Sequence, residues 1–309
     1  MSFREGTVVF GINRIYTVDL GGVTVQCRLK GKILDSGVRE YNPLAPGDRV
    51  SVQPTHPGEG LILARSERRN RFWRWNRKGR AVQTMAANLA RVCCVASPQS
   101  PPFRPRFIDR VLVVAMTEAI PSTVVLNKID SKDAGEADRQ IDERLSWFRE
   151  VGVPVLYCSA RTGDGMDAVR RLAADGPCAL VGQSGVGKSS LLNALEPSLS
   201  LRTGDVSAKH NRGTHVTNYG RLIETECNVF IDTPGIREID LYPLTKAEVV
   251  AGFPEFGDLR CEYAACTHTH EPGCGVKAAA ESGRIHPDWY ESYVRILADL
   301  ELSARLAHR

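Results

Sequence analysis

Long apolar runs are missing from this chain of 309 residues. No uninterrupted apolar stretch approaches the ~18 residues that suggest a membrane span, so no membrane partner is expected. The N-terminus, MSFREGTVVFG, lacks an apolar h-region and a cleavage-site pattern, so no secretory signal is expected. A large charge excess is also absent, the formal net charge being +4. Bulk charge therefore does not announce a nucleic-acid binder, although a local basic stripe can do so. There is no repeat at solenoid period and no low-complexity tract. The nine cysteines are odd in number, and Cys93, Cys94, Cys158 and Cys178 lie in apolar strand-like runs. That is a pattern of buried thiols in a reducing compartment, which makes the cytoplasm the expected location.

What is present is ordinary globular composition, 42% hydrophobic and 25% charged, enough for two or three domains with their own cores. Residues 1–64 read as short β segments at 7–10, 15–19, 23–29, 49–53 and 61–63. Turn signals separate them at Gly21-Gly22, Pro46-Gly47-Asp48 and Pro57-Gly58. Five such strands fit an OB-fold, though any small β barrel has the same spacing.

Residues 65–84 change character. Eight Arg and Lys positions between 65 and 80 face a single acid, Glu67, with Phe72, Trp73 and Trp75 interleaved. A solvated linker is one reading. Aromatics among arginines are costly to expose, however, and stacking on bases beside phosphate pairing would use both residue types. Arg71, Trp73, Arg74, Trp75, Arg77 and Lys78 are therefore the candidates for RNA contact.

From residue 85 strands and amphipathic helices alternate, which predicts a parallel sheet covered on both faces. Strands are expected at 91–96, 123–127, 153–159 and 178–181, and helices at 107–118, 139–150 and 166–174. Gly182-Gln183-Ser184-Gly185-Val186-Gly187-Lys188-Ser189 matches the phosphate-binding pattern G-x-x-x-x-G-K-[ST] between an apolar strand and a helix. The glycines let backbone N–H groups wrap phosphate oxygens, with the positive end of the helix behind them. Lys188 is expected to reach the β/γ-phosphates and stabilise developing charge, Ser189 to ligate Mg²⁺, and Ser190 to join the nucleotide-binding set. Asp232-Thr233-Pro234-Gly235 follows an apolar strand at 228–231. There Asp232 would hold Mg²⁺ through water and the Gly235 N–H would sense the γ-phosphate.

Asn127-Lys128-Ile129-Asp130 ends the strand at 123–127. A carboxylate at Asp130 can accept two hydrogen bonds from guanine N1 and N2 that adenine cannot offer. Lys128 would lie across the base, Asn127 would tie this loop to the phosphate loop, and Ser159-Ala160 would close on the guanine O6. GTP or GDP with Mg²⁺ is the expected ligand. The order is unusual, because the base loops precede the phosphate loop. A sheet cut between surface elements and rejoined end to end keeps such a site intact, so the fold is expected to be circularly permuted.

Near the C-terminus Cys261, Cys266 and Cys274 fall within one short stretch beside His268 and His270. Three thiolates and an imidazole make a closed tetrahedral set for one structural Zn²⁺, which would pin a small domain with little core. The amphipathic stretch at 289–306 reads as a core-packing helix without chemistry of its own.

The permuted order, the preceding barrel and the trailing Cys/His cluster resemble the ribosome small-subunit-dependent GTPase A family (RsgA, YjeQ-type) over nearly the whole chain. Gln83-Thr84-Met85-Ala86-Ala87-Asn88 is similar to its Q-x-x-A-A-N. Phe107-Ile108-Asp109-Arg110 and Thr267-His268 with Glu271-Pro272-Gly273-Cys274 add to the likeness. The resemblance implies binding to the 30S subunit and its 16S rRNA late in assembly, turnover stimulated by the subunit, and release on hydrolysis. It also favours His268 over His270 as the fourth zinc ligand. The family's first switch, G-x-H-T-T-T, aligns with Gly213-Thr214-His215-Val216-Thr217-Asn218. Only the middle threonine, Thr217, remains there to ligate Mg²⁺. Ile236 follows Gly235 where Ras-like proteins carry a water-orienting glutamine. The switch histidine, His215, thus becomes the catalytic candidate alongside Lys188.

The expected class is α/β: an OB-like barrel over 1–64, a basic/aromatic linker over 65–84, a circularly permuted P-loop GTPase domain over 85–240 and an α-helical zinc-binding domain over 241–309. Nothing resembles an oligomer seam, so a monomer is expected.

Overall fold

Alternating burial in the first five strands closes them into a barrel in the computed structural model, which describes residues 3–31, 40–131, 136–201 and 220–307. The strands are β1 (Arg4–Ile12), β2 (Ile15–Asp19), β3 (Thr24–Leu29), β4 (Arg49–His56) and β5 (Glu59–Arg65). They pair in the order β1-β2-β3-β5-β4 and close through β4 on β1, with only β3 and β5 parallel. This is a five-stranded barrel of OB type. Val8, Val18, Cys27, Val50, Val52 and Ile62 fill it. Gly47, at φ 89°, lets the loop before β4 lie against the Ala87 carbonyl; a Cβ there would run into that oxygen.

The segment read as a linker is instead a hairpin of β6 (Arg71–Asn76) and β7 (Ala81–Ala87). Every residue of β7 is buried, and Phe72 and Trp73 sit in the main core. The arginines find acids that lie far away in the chain. Arg68 pairs with Asp48 at 2.7 Å and Glu40 at 2.9 Å, and Arg65 and Arg71 also reach Glu40. Counting local acids alone left this neutralisation invisible.

The central sheet runs β10 (Val155–Tyr157), β9 (Ser122–Leu126), β8 (Arg91–Ala96), β11 (Cys178–Gly182), β13 (Val229–Asp232) and β12 (Arg221–Glu224). All its pairs are parallel except β12–β13, and Phe10 of β1 bridges to Arg221 of β12, joining barrel and sheet. Strand side chains alternate between two cores, Val92 and Cys94 on one face and Cys93 and Val95 on the other. Helices α1 (Pro105–Thr117), α2 (Glu136–Glu150), α3 (Met166–Arg171) and α4 (Lys188–Leu195) connect the strands.

The C-terminal part is helical, with α5 (Lys246–Ala251), α6 (Gly275–Glu281) and α7 (Pro287–Ala307). A capping box between Thr245 and Glu248 starts α5 by satisfying its free N–H groups. Trp289, Tyr293, Ile296, Leu297 and Leu300 form the buried stripe of α7. Phe253 packs on Trp289 with ring centroids 4.6 Å apart, and Phe256 on Tyr293 at 5.0 Å. A buried ion pair pins three helices. Arg144 of α2 donates to both oxygens of Asp109 on α1 at 2.7 Å, approaches Asp288 of α7 at 3.3 Å, and lies over the Trp289 ring.

Candidate nucleotide and metal sites

The phosphate loop leaves β11 at Gly182 and enters α4 at Lys188 through Gly187, whose φ of 96° suits glycine. A Cβ on Gly187 would collide with the Asn127 amide, and one on Gly182 with the Val95 carbonyl. Lys188 is buried, and its ammonium donates to the carbonyls of Gly182 and Gln183 at 2.9 and 3.1 Å. Burial pulls its pKa down, against the opposing charge of Asp232. Asp232 ends β13 beside β11, and burial lifts its pKa to about 6 against the pull of Lys188. Its Oδ1 is buried without a hydrogen-bond partner. An orphaned carboxylate oxygen facing a buried ammonium fits a hydrated divalent cation, because such an acceptor costs free energy unless a donor arrives. Val186 is buried, whereas Ser184 and Gly185 are exposed at the loop crest. Ser189 and Ser190 are half-buried in the first turn of α4.

Gly235 passes close over this loop: a Cβ there would lie 2.8 Å from the Ser184 Cα. The next residue, Ile236, is buried and donates its N–H to the Gly182 carbonyl at 3.1 Å. Thr233 holds the preceding turn by donating to the Leu180 carbonyl at 2.7 Å.

Asn127 joins three segments. Its Nδ2 donates to the Val186 carbonyl at 2.9 Å, and its Oδ1 accepts the Ala160 N–H at 3.1 Å. Lys128, in the left-handed region at φ 65°, donates to the Gly185 carbonyl at 2.6 Å and the Ser100 carbonyl at 2.5 Å. Ile129 and Asp130 form a short 3-10 turn. Ser159 donates to Asp130 Oδ1 at 2.6 Å, and Arg161 pairs with Oδ2 at 2.6 Å. The Ser159 hydrogen bond, with help from Arg161, holds the Asp130 carboxyl below its ordinary pKa. Arg161 was not foreseen, although it stands two residues beyond Ser159. Switch residues His215 and Thr217 lie outside the described residues.

In the C-terminal part Cys261, Cys266, His268 and Cys274 bring their ligand atoms within 4.8 Å of one another. The His268 Nδ1 is 3.5 Å from the Cys261 sulfur and 3.6 Å from that of Cys274, and those two sulfurs are 3.9 Å apart. A tetrahedral ion with bonds of about 2.3 Å to sulfur and 2.0–2.1 Å to nitrogen needs S···S and S···N separations of roughly 3.8 and 3.6 Å, so the set fits Zn²⁺. His268 takes φ 58°, and its carbonyl accepts the Tyr290 hydroxyl at 2.8 Å. The Tyr293 hydroxyl holds the Thr267 carbonyl at 2.7 Å, and Glu271 accepts the Thr267 N–H and hydroxyl. Those Thr267 bonds keep the Glu271 carboxyl well below the usual range. His270 is not part of the set, and its side chain is 83% exposed. Tyr290, Tyr293 and Glu271 carry no metal-ligand signal in the sequence.

The RNA-contact candidates divide. Trp73 is buried, and Arg71 pairs with Glu40 and Glu118, so neither presents a free face. The premise that these aromatics are exposed therefore fails for Phe72 and Trp73. Arg74 donates to Gln83 at 3.1 Å, and Trp75 lies edge-on to Tyr242 with centroids 4.7 Å apart. Arg77 is bound to Asp240, while Lys78 and Arg80 stand exposed at the hairpin tip.

Residues 65–242 match the model of the RsgA GTPase and residues 5–62 that of the RsgA N-terminal domain. A protein of Borreliella afzelii named small ribosomal subunit biogenesis GTPase RsgA is 34% identical over 305 residues, covering 97% of this chain and 98% of that one. One of Moorella thermoacetica with the same name is 38% identical over 299 residues, covering 96% and 97%. Among solved structures, YjeQ from Thermotoga maritima superposes with a TM-score of 0.74 at 30% identity, covering 97% of this chain and 99% of that one. YloQ, described as a circularly permuted GTPase, gives 0.69 at 25% identity, covering 97% and 96%.

Proposed function

The chain belongs to the RsgA GTPase family and is a GTP hydrolase, and on that premise we propose that it binds the 30S ribosomal subunit through 16S rRNA, acts late in small-subunit maturation, and turns over faster on the subunit. The observation behind the partner is the extent of the likeness. Relatives named for small-subunit biogenesis match from barrel to zinc cluster, not over the GTPase core alone. No described helix is long and apolar enough to cross a membrane, and we read the protein as a cytoplasmic monomer.

Mg²⁺, when bound with GTP, supplies positive charge at the β- and γ-phosphates. Ser189, Asp232 and Thr217 are the proposed ligands, Asp232 through water. Lys188 exchanges the two loop carbonyls for phosphate oxygens, a substitution between acceptors that needs little rearrangement. The Gly235 N–H reads the γ-phosphate, and its approach to Ser184 carries that reading to the phosphate loop. Asp130, kept ionised by Ser159 and Arg161, accepts from guanine, and Ala160 closes on O6. Ile236 cannot orient water, so His215 is the proposed group for that task. One Zn²⁺ held by Cys261, Cys266, His268 and Cys274 fastens the C-terminal domain. Lys78, together with Arg74 and Trp75, forms the proposed RNA-facing edge of the hairpin, Arg77 being held by Asp240.

GTP hydrolysis measured with and without purified 30S subunits tests the reading. Stimulation of tenfold or more is expected; equal rates would leave a GTPase with a different partner.

A further inference from the structure

A cleft of about 620 Å³ opens between the start of α1, the segment after Gly235 and the start of α7. Four arginines line it, Arg104, Arg106, Arg110 and Arg237, against two acids, Glu238 and Asp288. Two of the arginines are already engaged. Arg106 reaches Asp288 at 3.2 Å and Glu291 at 2.6 Å, and Arg110 reaches Asp299 at 2.5 Å. Arg104 and Arg237 are exposed and have no acidic partner among the described residues. Helix α1 also begins here without a side-chain cap and without an acid in its first turn, so its positive end is uncompensated. The Nε of Arg106 is buried without a hydrogen-bond partner. Phe103, half-buried, adds an aromatic ring beside Arg104.

We propose that this cleft is a second RNA-binding surface, distinct from the β6–β7 hairpin, which takes a stretch of unpaired RNA with backbone phosphates on Arg104 and Arg237 and a base against Phe103. Two unpaired guanidinium groups brought to one cleft by different segments suit successive phosphates of one strand better than a single small anion, and an aromatic ring in the same lining accepts any base. The proposal rests on rRNA being the partner. It adds a consequence for the cycle: Arg237 stands two residues beyond Gly235, and the intervening Ile236 is bonded to Gly182 of the phosphate loop. An occupant of the cleft therefore bears on the segment that contacts the nucleotide site.

The test uses the full chain carrying Arg104→Glu, Arg237→Glu or both, with Arg171→Glu, an exposed cation of α3 outside the cleft, controlling for bulk charge. Affinity for protein-free 16S rRNA transcript is measured over a series of KCl concentrations, together with binding to whole 30S subunits. Each charge reversal in the cleft should weaken transcript binding about tenfold. It should also reduce the salt slope by about 0.7–0.9 per lost phosphate contact, hence by roughly 1.5 in the double variant. Basal GTP hydrolysis should stay within twofold, showing that the fold is intact. A double variant that matches Arg171→Glu in affinity and slope would overturn the proposal. So would normal transcript binding with impaired 30S binding, since the cleft would then meet a ribosomal protein. Absence of transcript binding by the unaltered chain would instead remove the rRNA reading, and this surface with it.

Discussion

Arg77 at the hairpin tip donates from Nε to the Asp240 carboxylate at 2.5 Å, tying the end of β6 to a residue five positions after Gly235. Asp240 also accepts from the Ser303 hydroxyl at 2.9 Å and the Tyr242 N–H at 3.1 Å, and its carbonyl takes the Trp75 N–H. Hairpin, post-switch segment and α7 thus meet on one buried carboxylate. Asp240 raises the pKa of Arg77, chiefly through the hydrogen bond.

Arg77→Ala should therefore act mainly on stability, because it leaves a buried carboxylate without its cation. The guanidinium is 47% exposed, so the loss is discounted to about 1–2 kcal/mol in denaturant unfolding. Lys78→Glu should leave the unfolding midpoint unchanged and weaken RNA binding instead. The reverse pattern would make Arg77 the RNA contact.

Asp130→Asn removes the acceptor that Ser159 and Arg161 hold. Affinity for GTP should fall by about 100-fold or more, with xanthosine triphosphate becoming the better substrate, since an amide presents a donor where guanine also donates. Competition binding of the two nucleotides reads this directly. Unchanged preference would mean that Asp130 does not face the base.

Gly235→Ala forces a Cβ against the Ser184 Cα and its N at 2.8–2.9 Å, both backbone atoms that cannot swing aside. Turnover should drop at least about tenfold while GDP affinity stays within a few-fold, because Gly235 is the residue proposed to sense the γ-phosphate. Single-turnover hydrolysis beside GDP titration separates the two. Equal losses in both would indicate general damage to the loop.

Asp109→Leu or Arg144→Met alone should each destabilise by about 3–5 kcal/mol, leaving one buried partner without its mate. The double Asp109→Leu, Arg144→Met should recover most of that loss, because two apolar side chains need no solvation. Urea midpoints of the four proteins close the cycle. Additive losses would show that the pair is not coupled.

Stripping metal with a strong chelator should remove about one Zn²⁺ per chain and lower the melting temperature, since the ion would tie the loop from Cys261 to Cys274 against the α7 aromatics. Cys266→Ser should lose the metal, and His270→Ala should retain it. Zinc retained by His268→Ala but lost by His270→Ala would reassign the fourth ligand.

The nucleotide motifs were legible because each is a short contiguous piece whose backbone demands are written into it. Gly187 supplies the left-handed turn into α4, Asp130 follows its strand within a few residues, and Gly235 follows Asp232 by three. The barrel was legible too, since strand alternation and turn residues are local signals. The hairpin was not. Its aromatics and arginines suggested an exposed basic strip because the acids that neutralise them stand elsewhere, and strand β12 went unseen because Leu222 and Ile223 stand alone between the charged Arg221 and Glu224, showing neither alternation nor an apolar run.

By itself, the sequence determined the chemistry: a phosphate loop preceded, in permuted order, by an Asn127–Asp130 loop suited to guanine, and a Cys₃His cluster, since residue type and spacing decide which atoms can ligate. The tertiary structure alone decided which charges remain free. Glu40, Asp48 and Asp240 reach Arg65, Arg68, Arg71 and Arg77 across the fold, while Arg104 and Arg237 face a cleft with no acid paired to them among the described residues. Ion pairing depends on separation in space, and the chain's order of residues does not specify it.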